Sequence, residues 1–186
     1  HQHDCRDNSA LKYYGTTKHG TPVYLDTVVA NADKVIVTGG ISLHPFAGFG
    51  GGRKAILPGV AGLASINHNH LMALADQVGA GCEKTTETAI LKGNRIAEDM
   101  EEACAMLNPT FLLNVVFTPE GALHEIVAGN WRTAFAKGCQ DLLQLAGVHI
   151  KAQADVVIAS AGGYPKDLNL YQAMTSHMNA IFAVKP

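Results

Sequence analysis

The sequence predicts an α/β fold, with a mixed, mostly parallel sheet flanked by helices. Two patterns point to it. Short β-branched and apolar runs, such as Val35-Ile36-Val37 and Val156-Val157-Ile158, alternate with stretches in which apolar residues recur every three or four positions. The first run also leads directly into Gly39-Gly40 and then into a glycine-rich loop. In open α/β sheets ligands gather beyond the carboxyl ends of the strands, so this arrangement places a loop of special backbone where a site belongs.

Taken in order, Lys34–Thr38 reads as a strand delivering the chain to that loop. Ser65–Leu74 reads as a helix carrying His68 and His70. Residues two apart on a helix point about 200° apart, so these imidazoles do not face one site, and His68 is expected to face solvent or to support a ligand. Asn94 is placed to cap a helix to Leu107, in which Ile96, Met100, Ala103, Cys104 and Leu107 form the inner stripe and Asn108-Pro109 the stop. Glu98, Asp99, Glu101 and Glu102 are expected on its solvated face. Thr110–Thr118 is a buried strand, Pro119-Glu120-Gly121 a turn, and Ala122–Val127 the return strand of a hairpin. Trp131–Leu145 is a helix with Phe135, Leu142 and Leu145 inward.

Lys151–Ala154 reads as a linker, which puts a boundary near residue 150. Residues 1–150 are then an incomplete N-terminal α/β domain, and 151–186 the beginning of a second. This second piece offers a strand at Val156–Ala159 and a helix from Asn169 to Val184. One strand and one helix cannot bury a core, so the piece is expected to pack on the first domain or to exchange with another copy in a homo-oligomer.

Hydrophobic residues make up 47% of the chain and charged residues 16%, with a formal net charge of −2. No basic stripe suggests nucleic acid, and no apolar run approaches the about 20 residues that span a bilayer. Cys5, Cys82, Cys104 and Cys139 are widely spaced without a C-x-x-C pair, which favours reduced thiols and a cytoplasmic setting over disulfides or zinc.

Most of the chemical information lies between Ile41 and His70. Gly48, Gly50, Gly51 and Gly52 allow positive φ and a close approach of backbone to ligand, while Arg53 and Lys54 bring charge, so an anion is expected there. The loop is not a Walker A motif, because Ala55 stands where Ser or Thr would bind magnesium. Nor is it a dinucleotide fingerprint, because Arg53 occupies the place of the last glycine.

The run His44-Pro45-Phe46-Ala47-Gly48-Phe49-Gly50-Gly51-Gly52-Arg53-Lys54, followed by Pro58-Gly59 and His70, resembles the signature of the nickel-dependent lactate racemase family. The resemblance implies a nickel-pincer nucleotide, a pyridinium mononucleotide whose two sulfurs and one ring carbon hold nickel, joined through a thioamide to Lys54. It implies that Gly50, Gly51, Gly52 and Arg53 line this cofactor. It makes His70, sixteen positions after the lysine, the protein's nickel ligand, and His44, ten positions before it, a catalytic acid/base. Imidazole suits nickel in a tetragonal N/S environment, although a lone histidine is more often structural than ligating.

The implied reaction is racemisation or epimerisation of a small 2-hydroxy acid. The α-hydrogen beside an ionised carboxylate is a poor acid, so it leaves as hydride to the cofactor while a base takes the hydroxyl proton, and return to the opposite face inverts the centre. Enzymes that make the cofactor are implied as partners. The family's second catalytic histidine and its substrate arginine fall upstream of the position matching His1, so the chain is expected to be an internal fragment, inactive alone. Near the other end, Tyr171 and Gln172 match a substrate-contacting pair or are ordinary residues near a helix start. Thr175 replaces the family's lysine there, which places lactate itself in doubt. Two other readings stay open: a nucleotide- or phosphate-binding module without redox chemistry, and a zinc hydrolase using His44, His68 and His70.

Overall fold

The computed structural model describes residues 1–186, which divide into two compact units, His1–Ala146 and Gly147–Pro186. The first begins with an antiparallel pair, β1 (Leu11–Thr16) and β2 (Pro22–Asp26), and a single helical turn, α1 (Thr27–Ala30). Its main sheet has strand order β3 (Ile36–Ile41), β6 (Phe111–Phe117), β7 (Leu123–Gly129). β3 lies parallel to β6, with Ile36 beside Phe111 and Ile41 beside Val116, whereas β6 and β7 form an antiparallel hairpin. The sheet is therefore mixed, and β3 starts two residues later than its propensity suggests and continues through Gly39-Gly40. Pairing with β6 supplies the backbone partners that glycine propensity would not have predicted.

Alternation along β6 turns Leu112, Asn114 and Val116 inward, against helix α4 (Trp131–Ala146). α4 buries Trp131, Ala134, Phe135, Gly138, Cys139 and Leu142, a stripe at three- and four-residue spacing. Gly138 is needed for this contact, since a Cβ there would collide with the Ile41 side chain.

Helix α3 (Arg95–Leu107) starts at Asn94, whose Oδ1 accepts from the Ala97 N–H at 3.1 Å, and stops at Asn108 in the left-handed region. Ile96, Met100, Ala103 and Cys104 are buried as the spacing predicts, with Leu107 packed at the edge. Asp99 departs from expectation. It is fully buried, not solvated, and accepts hydrogen bonds from Thr17 Oγ1 at 2.5 Å, Thr21 Oγ1 at 2.8 Å and Asn69 Nδ2 at 2.8 Å. These donors come from the β1–β2 connection and from helix α2 (Leu63–Leu71), which a reading of α3 alone does not see.

In the second unit, α5 (Leu170–Ala180) is capped by Asn169, whose Oδ1 accepts from the Gln172 N–H at 3.0 Å. The strand expected at Val156–Ala159 does not form. This unit pairs only Ala154 with Val184 in an isolated bridge, and Val156 and Ile158 are 75% and 96% exposed. A strand is stable only with a ladder partner, and these 40 residues provide none for it. No helix of the protein is long and apolar enough to cross a membrane.

Candidate functional site

Beyond the end of β3 the chain makes a miniature hairpin, β4 (Leu43–His44) with β5 (Gly48–Phe49), then a single 3₁₀ turn over Gly52–Ala55, before α2. The glycines between β5 and the 3₁₀ turn serve packing. Gly50 donates its N–H to the Ser42 carbonyl at 2.7 Å. At Gly51 (φ +78°) a Cβ would sit 2.6 Å from the Gly40 carbonyl oxygen, and at Gly52 (φ +53°) it would collide with the Phe135 ring. The close approach made possible by glycine is thus to β3 and α4, where the sequence suggested a ligand.

Asn114 completes the cradle. Fully buried in β6, it accepts the Gly52 N–H at 2.8 Å through Oδ1. Sequence reasoning missed this residue, though its signal was present: one amide in the middle of Phe111-Leu112-Leu113-Asn114-Val115-Val116-Phe117. A buried amide must be bonded, so it marks a place where another segment brings backbone polar groups.

Arg53 does not reach the surface as expected. It is 2% exposed, donates from Nη2 to the Ala47 carbonyl at 2.9 Å and from Nε to the Ala97 carbonyl at 3.2 Å, and stacks 4.8 Å from the Phe135 centroid. Its Nη1 is buried with no hydrogen-bond partner. Burial lowers its pKa. With three residues per turn, successive side chains of a 3₁₀ segment diverge by about 120°, so Arg53 and Lys54 face different ways. Arg53 fastens the loop to α3 and α4.

Lys54, half-buried, keeps the other direction. Burial and the neighbouring Arg53 charge push its pKa down to about 8. His44, also half-buried, is pushed down to about 4 by burial and by the charges of Lys54, His70 and Arg53. His70 is lowered by burial, against the opposing effect of its bond to Ile66, with Lys54 lowering it further. The three side chains are thus close enough to feel one another's charge.

The two histidines are held in different tautomers. His70, at the end of α2, has Nδ1 2.9 Å from the Ile66 carbonyl, which accepts and so fixes the proton on Nδ1 and leaves the Nε2 lone pair free. His44 Nδ1 instead accepts from the backbone N–H groups of Phe46 at 3.2 Å and Ala47 at 3.1 Å. His68 belongs elsewhere. Its Nδ1 lies 2.9 Å from Thr21 Oγ1, and because that hydroxyl donates to Asp99, His68 is its donor. No three residues among His, Cys, Asp and Glu converge to hold a metal ion, which leaves the three-histidine zinc arrangement without support.

His3, near the start of the chain, pairs with Asp26. Its Nδ1 is 2.8 Å from Asp26 Oδ2 and its Nε2 3.0 Å from the Ala61 carbonyl, so both nitrogens donate. Burial alone would lower its pKa, but the Ala61 and Asp26 contacts outweigh it and the pKa is raised. Tyr171 and Gln172 lie in the first turn of α5, exposed, within the other unit, and Thr175 follows one turn later.

A model of the lactate racemase N-terminal domain matches residues 1–81. The chain is 37% identical over 172 residues to the lactate racemase of Thermoanaerobacterium thermosaccharolyticum and 34% identical over the same length to that of Lactiplantibacillus plantarum. In both cases the alignment takes in 92% of this chain and 39% of the relative, so the chain spans about two fifths of the length of these curated proteins. Its fold superposes on the lactate racemase apoprotein of Thermoanaerobacterium thermosaccharolyticum with a TM-score of 0.90, at 35% identity, over 98% of this chain and 42% of that one. A Thermotoga maritima protein at 19% identity shares the fold, with a TM-score of 0.66 over 83% of this chain and 41% of that one.

Proposed function

Because this chain belongs to the lactate racemase family, we propose that it carries the cofactor-binding part of an enzyme that racemises or epimerises a small 2-hydroxy acid. What supports this most directly is that Lys54, His44 and His70 feel one another's charge, with Lys54 depressed to about 8 and the His70 Nδ1 bound to Ile66 so that its Nε2 lone pair is free. These residues fit a nickel-pincer nucleotide. A lysine amine that is partly neutral near neutral pH is suited to forming an amide-type link, and the Nε2 lone pair of His70 would suit a nickel ion held by such a group. When bound, the nucleotide supplies a carbon that accepts and returns hydride.

The protein's own residues do the rest. Lys54 tethers and orients the nucleotide, while the packed glycines and Arg53 hold the Lys54 backbone against β3 and α4. His70 ligates through Nε2, and its Nδ1–H bond to Ile66 fixes the ring orientation. His44 serves the substrate oxygen. Tyr171 and Gln172 are proposed to contact substrate, with Thr175 giving that contact no charge, so a 2-hydroxy acid other than lactate suits this chain as well as lactate does. Residues 1–150 are proposed as an incomplete cofactor domain and 151–186 as the start of a second. Cofactor-making enzymes as partners, self-association and a cytoplasmic setting complete the proposal; all four cysteines are unpaired.

The runner-up is a nucleotide- or phosphate-binding module of the same fold. It loses ground because Arg53, one of its two expected cations, is directed into the core. The deciding experiment co-expresses the full-length protein with the cofactor-making enzymes and measures intact mass and nickel, beside Lys54→Ala and His70→Ala. The proposal expects an adduct with about one nickel per chain, no adduct in Lys54→Ala, and an adduct with weakened nickel retention in His70→Ala. No adduct in the wild type would favour the module.

A further inference from the structure

Helix α2 is fastened by hydrogen bonds on the face where a helix is ordinarily fastened by apolar packing. Its two buried residues, Ser65 and Asn69, are both polar, both 0% exposed, and lie one turn apart on a single face. Ser65 Oγ donates to the Pro22 carbonyl at 2.6 Å and accepts from the Tyr24 N–H at 2.9 Å, so β2 holds the first turn. Asn69 Nδ2 donates to Asp99 Oδ2 at 2.8 Å and to the Ile96 carbonyl at 3.3 Å, so α3 holds the last. The amide cannot be turned over, because Oδ1, which has no partner, would then face the carboxylate. His68 reaches the same carboxylate through Thr21, whose hydroxyl accepts from His68 Nδ1 and donates to Asp99. Thr17 donates to the other oxygen, Oδ1, so the carboxylate itself is held at both ends. The two residues that precede His70 are thus both tied to Asp99.

This matters for the direction in which His70 points. A nitrogen carried about 6 Å from the axis of a helix moves about 2 Å when the helix turns by about 20°, whereas a metal–ligand distance tolerates about 0.2 Å. Apolar contact is non-directional and resists such a turn weakly, while hydrogen bonds weaken steeply with angle. Resting on the racemase reading above, we propose that Asp99 is a positioning residue: directly through Asn69, and through Thr21 to His68, it fixes the rotation of α2 about its axis and so the direction in which His70 offers its Nε2 lone pair to nickel. The bond from His70 Nδ1 to Ile66 sets the ring relative to the helix, and Asp99 sets the helix relative to the rest of the domain. Asp99 is fully buried and acts only through its partners.

The test uses Asp99→Asn, the isosteric Thr21→Val, which serves if the first variant does not fold, and Val127→Ala, a core truncation in β7 that removes none of these bonds. In this chain without cofactor, Asp99→Asn should raise amide hydrogen exchange in α2 more than in α4; an equal rise in both, or none, would overturn the proposal. In full-length protein loaded with cofactor, the readouts are intact mass, the visible absorption of the nickel centre and the rate of nickel loss to EDTA. Asp99→Asn should keep the organic adduct but lose nickel at least about tenfold faster than wild type, with an altered nickel spectrum. Thr21→Val should lose it at least about threefold faster. Val127→Ala, although less stable to urea, should match wild type in both spectrum and rate. Nickel loss at the wild-type rate in Asp99→Asn or Thr21→Val, or an equal acceleration in Val127→Ala, would remove this proposal alone. A wild type that takes up no nickel would remove the racemase reading and this proposal with it.

Discussion

Gly52→Ala separates a glycine kept for packing from one kept for a ligand. At φ +53° an alanine pays left-handed strain of about 1 kcal/mol. Its Cβ would also run into Phe135, which cannot move freely because the Arg53 guanidinium lies 4.8 Å from its ring centroid, so overpacking adds about 2 kcal/mol. The expected total loss is about 3 kcal/mol in protein without cofactor. Urea unfolding followed by the fluorescence of Trp131 reads it directly, since that is the one tryptophan and it is buried on the same helix as Phe135. Gly121→Ala is the control: φ is +89° but nothing lies within 4 Å of the added carbon, so only strain of about 1 kcal/mol is expected. If Gly52→Ala were no worse than Gly121→Ala, the claim that this loop is shaped by its contact with α4 would be wrong.

Asp99→Asn keeps the volume but leaves three donors facing a neutral group that is itself half donor, and we expect a loss of about 2 kcal/mol in the same unfolding assay; a change under about 0.5 kcal/mol would show that the buried carboxylate is not what ties α2 to α3. The His3 pKa is raised in the fold, so its contribution to stability is complete below 6.5 and fades as pH rises through the higher folded value. The stability advantage of wild type over His3→Gln should therefore shrink as pH is raised above 6.5, and an advantage that grew would contradict the pairing with Asp26 and Ala61. Lys54 should titrate near 8 when its ¹³C-dimethylated side chain is followed by NMR; a midpoint above about 10, the ordinary lysine value, would remove the argument that its amine is prepared for linkage.

Local pattern made much of this protein legible. The Asn94 cap, the Ile96-Met100-Ala103-Cys104 stripe and the hairpin of β6 and β7 follow from residue order, because capping and periodicity act over a few positions. Lys54, His44 and His70 could be picked out for the same reason, as reactive side chains spaced along one segment rich in special backbone. Where the expectations missed, the deciding partner was distant. Asp99 looked like one more acid on a charged face until Thr17, 82 positions away, and Thr21 reached it. Val156–Ala159 had the composition of a strand and no ladder to join.

The sequence by itself determined the α/β alternation, the position of the glycine loop after β3 and the identity of the groups able to do chemistry there. Tertiary structure decided which way those groups face. It turned Arg53 inward beneath Phe135, used glycine to pack the loop on β3 and α4, and gave His44 and His70 opposite tautomers. The physical reason is that a side chain's type is carried by its own codon, while its burial and its hydrogen-bond partner depend on segments folded against it from elsewhere in the chain.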